Sequence, residues 1–131
     1  MIEREIGEII YSNLNEWVDF DSTSLMLSGG VWRCTVRLTS FVVEIEYDIV
    51  KRLYKVSSCD GKRDIKLSRS GAFRRDVRRL IQKNGLDMGS FMGHVEAIAI
   101  LIKERLSKNG KMSELTRKYR FRFKKDGIKI K

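Results

Sequence analysis

The spacing of apolar residues changes from a helical to a strand period along the first half of the chain. In residues 2–18 the apolar positions recur in steps of three and four, which predicts an amphipathic helix. Between residues 24 and 68 apolar and polar positions alternate, and Gly29-Gly30 and Asp60-Gly61 are hairpin signals between the alternating runs. The second segment therefore predicts an antiparallel meander of four or five strands.

The helical period returns after residue 70. Residues 71–84 predict a second helix, followed by a glycine that favours a left-handed helix end. Asp87 or Ser90 can cap a third helix, which runs to about Lys108. The apolar stripe of this third helix is broad enough to be mostly buried, and it would also allow self-association.

The end of the chain alternates again. Residues 117–131 predict a hairpin that turns at Asp126-Gly127. No linker or repeat divides the chain, so residues 1–131 are predicted to form one α+β domain. In it, an N-terminal helix precedes a four- to five-stranded antiparallel meander, two helices packed on the sheet and a C-terminal β-hairpin.

The net charge of +10 is carried by the second half of the 131 residues. Residues 1–60 hold 6 basic and 10 acidic side chains, whereas residues 61–131 hold 21 basic and 7 acidic ones. Such an asymmetry is typical of a polyanionic partner, either nucleic acid or an anionic membrane. We expect no membrane association, because no stretch approaches the roughly 20 apolar residues that span a bilayer and the basic helix lacks the apolar breadth of an interfacial anchor.

Two further expectations concern origin and location. The first ten residues mix charges into their apolar pattern and lack the apolar core of a signal peptide, which predicts a cytoplasmic, intracellular protein that is not secreted. A single Gln beside abundant Lys, Arg and Ile is a composition typical of a thermophilic source.

The second predicted helix separates its apolar and basic residues completely. Its basic side chains are Arg74, Arg75, Arg78, Arg79 and Lys83. Like charges at i,i+4 spacing cost an isolated helix about 1 kcal/mol over three pairs, and the planar arginine fork grips phosphate oxygens in pairs. Three hypotheses stay open for this face. It contacts phosphates, it pairs with the acidic residues Glu44, Glu46 and Asp48, or it is a solvated surface.

Two smaller basic clusters lie in the same half of the chain. One surrounds the start of the second helix and consists of Lys62, Arg63, Lys66 and Arg69. In the other, Lys118, Arg120, Arg122 and Lys124 alternate with Tyr119, Phe121 and Phe123, so a strand would send cations and aromatic rings to opposite faces. The aromatic face is then core, a platform on which unpaired bases stack, or a contact with another subunit.

Residues suited to catalysis or metal binding are scarce. Cys34 and Cys59 are the only cysteines and His94 is the only histidine, so no closed Cys/His zinc site is available. We interpret Cys34 as a buried thiol and His94 as a packed or surface residue of a helix. Glycine-rich phosphate-binding motifs are absent, and we expect no metal, cofactor or small-molecule ligand.

One acidic constellation favours an enzymatic alternative. Asp64-Ile65-Lys66 is predicted on a strand before a helix, and Glu46 and Asp48 lie on an earlier strand. This arrangement resembles the core of the PD-(D/E)xK nucleases. The resemblance implies that Asp48 and Asp64 hold Mg²⁺ while Lys66 orients the attacking water or stabilises charge on the phosphate.

The expected function is non-enzymatic, largely sequence-tolerant binding of DNA or RNA through the phosphate backbone. The predicted contact residues are the five basic residues of the second helix, extended by Arg63, Lys66, Arg69, Arg120, Arg122 and Lys124. The alternatives are the Mg²⁺-dependent nuclease and a structural or packaging nucleoprotein subunit that forms a homo-oligomer.

Overall fold

Three α-helices and a six-stranded antiparallel sheet make up the computed structural model, which describes residues 2–18, 23–39, 41–59, 61–62, 64–109, 119 and 125–130. In chain order the elements are α1 (Ile2–Leu14), β1 (Thr23–Ser28), β2 (Val31–Arg37), β3 (Val42–Asp48), β4 (Leu53–Cys59), β5 (Asp64–Lys66), α2 (Gly71–Lys83), α3 (Phe91–Asn109) and β6 (Ile128–Lys129). The predicted α+β class, with its order of helix, antiparallel sheet, two helices and C-terminal strand, is confirmed.

Strands β1 to β5 follow one another across the sheet, as the predicted meander requires. Strand β4 has β3 on one side, and its other edge is shared by two short strands. Strand β5 pairs with the end of β4, whereas β6 pairs with its beginning through Leu53↔Lys129 and Tyr54↔Ile128. Within the described residues, the C-terminal strand therefore joins the central sheet, while most of the first arm of the predicted hairpin lies outside them.

The hydrophobic core lies between one face of the sheet and the helices. Cys34, Ile45 and Val56 stand side by side on β2, β3 and β4, and all are buried. Because neighbouring residues of a strand point to opposite faces, the residues between them form the outer face. The buried side chains of all three helices belong to the same core cluster.

Helix α3 packs against both α1 and α2, which covers its apolar stripe. Val95, Ile98, Leu101 and Ile102 are each at most 3% exposed within this one chain. The predicted burial of the stripe is confirmed, and the stripe is consequently not available as a surface for self-association.

Local signals explain where α2 and α3 begin. The Ser70 side chain caps α2 by accepting the backbone N–H of Phe73 at 3.3 Å, and the Ser90 hydroxyl accepts the N–H of Gly93 at 3.1 Å at the start of α3. Position 93 requires glycine, because a Cβ there would collide with the backbone carbonyl of Asp87. The loop between the two helices is thereby held close to the first turn of α3.

Candidate nucleic-acid interface

Helix α2 buries one side and exposes its cations on the other. Phe73, Val77, Leu80 and Ile81 are buried in the core. The exposed cations are Arg75, Arg78, Arg79 and Lys83, and Arg74 beside them is half-buried. The predicted separation of apolar and basic sides is therefore present, and these five cations are called the basic face of α2 below.

Arg74 has a second task within the fold. Its Nε donates to the carbonyl oxygen of Ser68 at 2.8 Å, and its Nη2 donates to the carbonyl oxygen of Lys125 at 2.9 Å. Arg74 therefore joins the start of α2 to the C-terminal segment. Its position on the basic face is thus fixed by two backbone acceptors, one of which, on Lys125, is distant in sequence.

The only carboxylate of α2 is directed partly into the protein. Asp76 accepts a hydrogen bond from the Tyr119 hydroxyl at 2.6 Å and lies 3.9 Å from Nε of Arg79, while its side chain is only 17% exposed. Tyr119 is buried, and its ring meets Phe73 edge to face with centroids 5.3 Å apart. Burial, with the hydrogen bond to Asp76, raises the pKa of Tyr119.

The burial of Tyr119 decides whether the first ring of the predicted aromatic row is core, a platform for stacking bases or a contact with another subunit. Tyr119 belongs to the core and is not a stacking surface. Phe121 and Phe123 lie outside the described residues, as do the predicted contact residues Arg63, Arg120, Arg122 and Lys124.

Two concavities flank the basic face of α2. The first, which we call the α2–β6 cleft, has a volume of about 450 Å³ and is bordered by Arg74 and Arg78 of α2, Met88 of the loop before α3, and Ile128 and Lys129 of β6. The second, which we call the helix groove, is a more open depression of about 790 Å³. Its basic residues are Arg79, Lys83, Lys103 and Lys108, with Glu96 and Glu104 between them.

Sequence reasoning missed three of these cations. Lys103 and Lys108 belong to a helix whose pattern is dominated by its apolar stripe, and Lys129 belongs to a strand of two residues. Only the packing of α3 beside α2 brings Lys103 and Lys108 to the basic face, whereas Lys129 borders the α2–β6 cleft and its Nζ donates to the carbonyl oxygen of Lys51. Lys103 and Lys108 are five residues apart on α3, and this spacing does not indicate in the sequence that two residues share a function.

The acidic row of β3 does not compensate the basic face of α2. Val43, Ile45 and Tyr47 of β3 are buried on the inner face, so Glu44, Glu46 and Asp48 point outward. Helix α2 packs into the core on the opposite, inner side. The hypothesis that these carboxylates pair with the arginines of α2 is therefore wrong.

The outward carboxylates meet cations of the sheet instead. Nε of Arg33 lies 3.4 Å from Oε1 of Glu46. Burial raises the pKa of Glu44, as do a hydrogen bond with Glu46 and the charge of Glu46, while Arg33 and Lys66 lower it. The acidic row is thus a feature of the outer sheet face alone.

Of the smaller basic cluster, the described members do not extend the basic face of α2 as predicted. Lys66 lies on the outer sheet face, with Nζ 3.2 Å from Oδ2 of Asp64. Arg69 lies two residues before the start of α2, but its Nε lies 3.9 Å from Oδ2 of Asp126. Lys66 is therefore separated from α2 by the sheet, and the charge of Arg69 is compensated locally.

The acidic constellation of the nuclease alternative is spread across the sheet. Asp48 is opposite Leu53 at the beginning of β4, whereas Asp64 is opposite Cys59 at its end. Six residues along a strand span about 20 Å, so these carboxylates cannot share one Mg²⁺. Among the described residues, no group of three Asp, Glu, His or Cys side chains is placed to hold a metal ion.

His94 is a buried structural residue. Its Nε2 lies 2.9 Å from the carbonyl oxygen of Met88, and its Nδ1 lies 2.7 Å from Oη of Tyr54. A carbonyl only accepts, so Nε2 carries the proton and Nδ1 accepts from the tyrosine hydroxyl. Burial lowers the pKa of His94, which keeps the ring neutral at physiological pH.

The two cysteines are unpaired. Cys34 is buried, as expected from its place in the alternating strand, and burial raises the pKa of its thiol to about 12. Cys59 is exposed at the end of β4. A thiol with so high a pKa is a poor nucleophile, so Cys34 acts here as a small apolar residue.

Comparison with known proteins adds no relative. Searches among protein families, curated proteins and solved structures found no match to this chain. Within the described part of the chain, no helix is both long and apolar enough to cross a membrane.

Proposed function

We propose that this protein binds nucleic acid through the sugar-phosphate backbone, with the basic face of α2 as the central contact. The observation that carries the proposal is the excess of cations over carboxylates on this helix, where Asp76 lies 3.9 Å from Arg79 and is the one carboxylate of α2. The exposed cations Arg75, Arg78, Arg79 and Lys83 share one helix with a single carboxylate, and Tyr119 holds that carboxylate on the inner side.

The cost of this crowding supports a ligand. Arg75 and Arg79, like Arg79 and Lys83, are i,i+4 neighbours of the same sign, which destabilise a helix by roughly 0.2–0.5 kcal/mol per pair. When a phosphate chain binds, the same crowded cations stabilise the complex, because each guanidinium can donate two parallel hydrogen bonds to a phosphate group. The crowding is thus unfavourable in the isolated protein and favourable in a complex.

Dimensions and neighbours of α2 fit a strand lying along it. Arg75 and Lys83 are eight residues apart, about 12 Å along the helix axis. That length corresponds to roughly three or four phosphate steps of 3.4 Å in one stacked strand. The helix groove supplies Lys103 and Lys108 on one side of this path, and the α2–β6 cleft opens on the other side.

Contacts of this kind favour sequence-tolerant binding. Phosphate groups are identical at every position, so cations that contact them fix the position of the strand without reading its bases. The buried and fully hydrogen-bonded His94 and the separated Asp48 and Asp64 offer no comparable support for a hydrolytic role.

Charge reversal on α2 tests the proposal. In the variant Arg75→Glu/Arg79→Glu, we expect the affinity for a labelled oligonucleotide to fall at least about 100-fold, because two phosphate contacts worth about 1.4 kcal/mol each are lost. Fluorescence anisotropy at constant salt measures the change. Circular dichroism and thermal unfolding should show an intact fold, since both side chains are exposed.

The matched control changes the total charge by the same amount elsewhere. Arg4 and Arg37 are exposed and border neither concavity. In Arg4→Glu/Arg37→Glu we expect affinity within about threefold of the unmodified protein. Equal losses in both double variants would show that only the net charge matters, and unchanged affinity in the α2 variant would refute the proposal.

A further inference from the structure

The α2–β6 cleft combines two kinds of surface that a phosphate-binding helix alone does not need. Arg74 and Arg78 supply cations on one side of it, whereas Lys129 borders the other side with its Nζ donating to the carbonyl oxygen of Lys51 at 2.6 Å. Its remaining lining is largely apolar and comes mainly from the half-buried Met88 and Ile128, because Val77 and His94 are each at most 3% exposed. Both ring nitrogens of His94 already have partners within the fold, so a ligand in the cleft would not depend on a hydrogen bond from this ring.

The size of the cleft matches a small planar group with an attached anion. Its volume of about 450 Å³ lies within the range of roughly 300–1,000 Å³ that is usual for small-ligand pockets. A nucleotide has these two parts, because its base is flat and largely apolar on its faces while its phosphate is charged. The apolar lining suits the base, and the cations of α2 suit the phosphate.

The walls of the cleft are tied together before any ligand arrives. Arg52 donates from Nη2 to the carbonyl oxygen of Gly89 at 2.9 Å and from Nε to the carbonyl oxygen of Ile130 at 3.3 Å. One guanidinium therefore joins the loop that carries Met88 to the strand that carries Ile128. On the third side, Arg74 is held by the carbonyl oxygens of Ser68 and Lys125. A pocket fixed in this way needs little ordering when it binds.

We propose that the α2–β6 cleft takes one unpaired nucleobase of the bound strand, with the adjoining phosphate against Arg78. This inference rests on the proposed function and makes it more specific, because it assigns single-stranded nucleic acid as the preferred ligand. In a duplex every base is stacked and paired, and turning one outward costs a few kcal/mol. A single strand offers its bases without that cost.

The first experiment compares ligands and needs no variant. Three labelled DNA ligands of equal length are titrated at the same salt concentration: a single strand, a duplex, and a single strand of abasic sites. Because stacking of one base on a protein surface contributes roughly 1–3 kcal/mol, we expect the ordinary single strand to bind about 5- to 100-fold more tightly than the abasic one. The duplex should bind more weakly than the ordinary single strand.

The second experiment fills the cleft. Met88 is half-buried in its lining, and Met88→Trp would occupy the space that we assign to the base. We expect this variant to bind the ordinary single strand at least about fivefold more weakly and to bind the abasic strand unchanged. The matched control is Met26→Trp, at a residue that is 64% exposed on the edge strand β1, which should leave both affinities unchanged.

The outcomes separate this inference from the proposed function. Equal affinity for the ordinary and abasic strands would overturn the role of the cleft while leaving backbone binding by α2 intact. The same conclusion follows if duplex binds as tightly as single strand and Met88→Trp binds like the unmodified protein. Absence of binding to all three ligands would refute the proposed function itself.

Discussion

The outer face of the sheet and the basic face of α2 are both rich in charge, but they differ in how the charges are arranged. Across β2 to β5 the outer face carries four cations and four carboxylates, which are Arg33, Arg37, Lys55, Lys66, Glu44, Glu46, Asp48 and Asp64. The basic face of α2 carries five cations, and the helix adds one carboxylate that is bonded to Tyr119.

Register explains why the sheet neutralises itself. Glu46 stands directly opposite Arg33 on one neighbouring strand and directly opposite Lys55 on the other. Residues paired across strands have Cβ atoms about 4.5–5.5 Å apart, so opposite charges at these positions compensate one another. The outer sheet face is therefore a charged surface without a net preference for anions. An excess of cations favours the binding of anions only where neighbouring carboxylates are too few to neutralise it, as on α2 with its single Asp76.

The largest expected effect is the dependence of oligonucleotide affinity on salt concentration, which should arise from the basic face of α2 and not from the outer face of the sheet. With about five phosphate contacts, the logarithm of the affinity should fall with the logarithm of salt at a slope near −3.5 for a single strand and near −4.5 for a duplex. Between 50 and 200 mM salt the first slope means a loss of roughly 100-fold. Anisotropy titrations at several salt concentrations measure it.

The two double variants sharpen this comparison. Arg75→Glu/Arg79→Glu should flatten the single-strand slope by about 1.4, because two contacts are lost, whereas Arg4→Glu/Arg37→Glu should keep it. A slope near zero for the unmodified protein would mean that its positive charge is not engaged with phosphates.

An intermediate effect should come from the inward carboxylate of α2. Tyr119→Phe removes the hydrogen bond that Asp76 accepts, and it should lower the free energy of unfolding by about 1–2 kcal/mol. Affinity for oligonucleotides should stay within about twofold, since the change leaves every cation in place. Denaturant titration gives the stability, and Tyr11→Phe, at an exposed tyrosine, is the control. A stability equal to that of the control would show that the bond between Tyr119 and Asp76 contributes nothing to the fold.

The smallest effect belongs to the outer sheet face. The raised pKa of Glu44 means that the folded state binds a proton at this carboxyl more tightly than the unfolded state does. The free energy of unfolding therefore falls as the pH rises through that pKa. Glu44→Gln removes the charge and should raise Tm at neutral pH by about 1–3 °C. The gain should vanish near or below about pH 4, where the carboxyl is protonated in both states. A lower Tm at neutral pH would show instead that Arg33 and Lys66 dominate at this position.

Patterns that act over short distances were sufficient to predict most of the fold. The boundaries of α2 follow from its serine cap and its closing Asn84-Gly85, and the meander follows from alternation interrupted by glycine turns. The two sides of α2 were predictable for the same reason, because a helix brings residues three and four apart to one side.

The surroundings of α2 depend on contacts between distant parts of the chain. Nothing in the local pattern indicates that Lys129 reaches the edge of β4, or that Arg74 finds its acceptor on Lys125. The prediction for Lys66 failed because closeness in sequence to α2 did not decide which side of the sheet the residue faces. Positions within one element were thus predictable, whereas the assembly of a surface from several elements was not.

The anchoring of α2 by the C-terminal segment has a consequence for synthesis on the ribosome. Lys125 and Tyr119 emerge at least 36 residues after the last residue of α2, and the partner that Arg52 finds at Ile130 emerges later still. A growing chain therefore carries its arginine-rich helix for some time before the groups that hold it in position exist. These cations therefore reach their finished arrangement only after residues 119–130 have been synthesised.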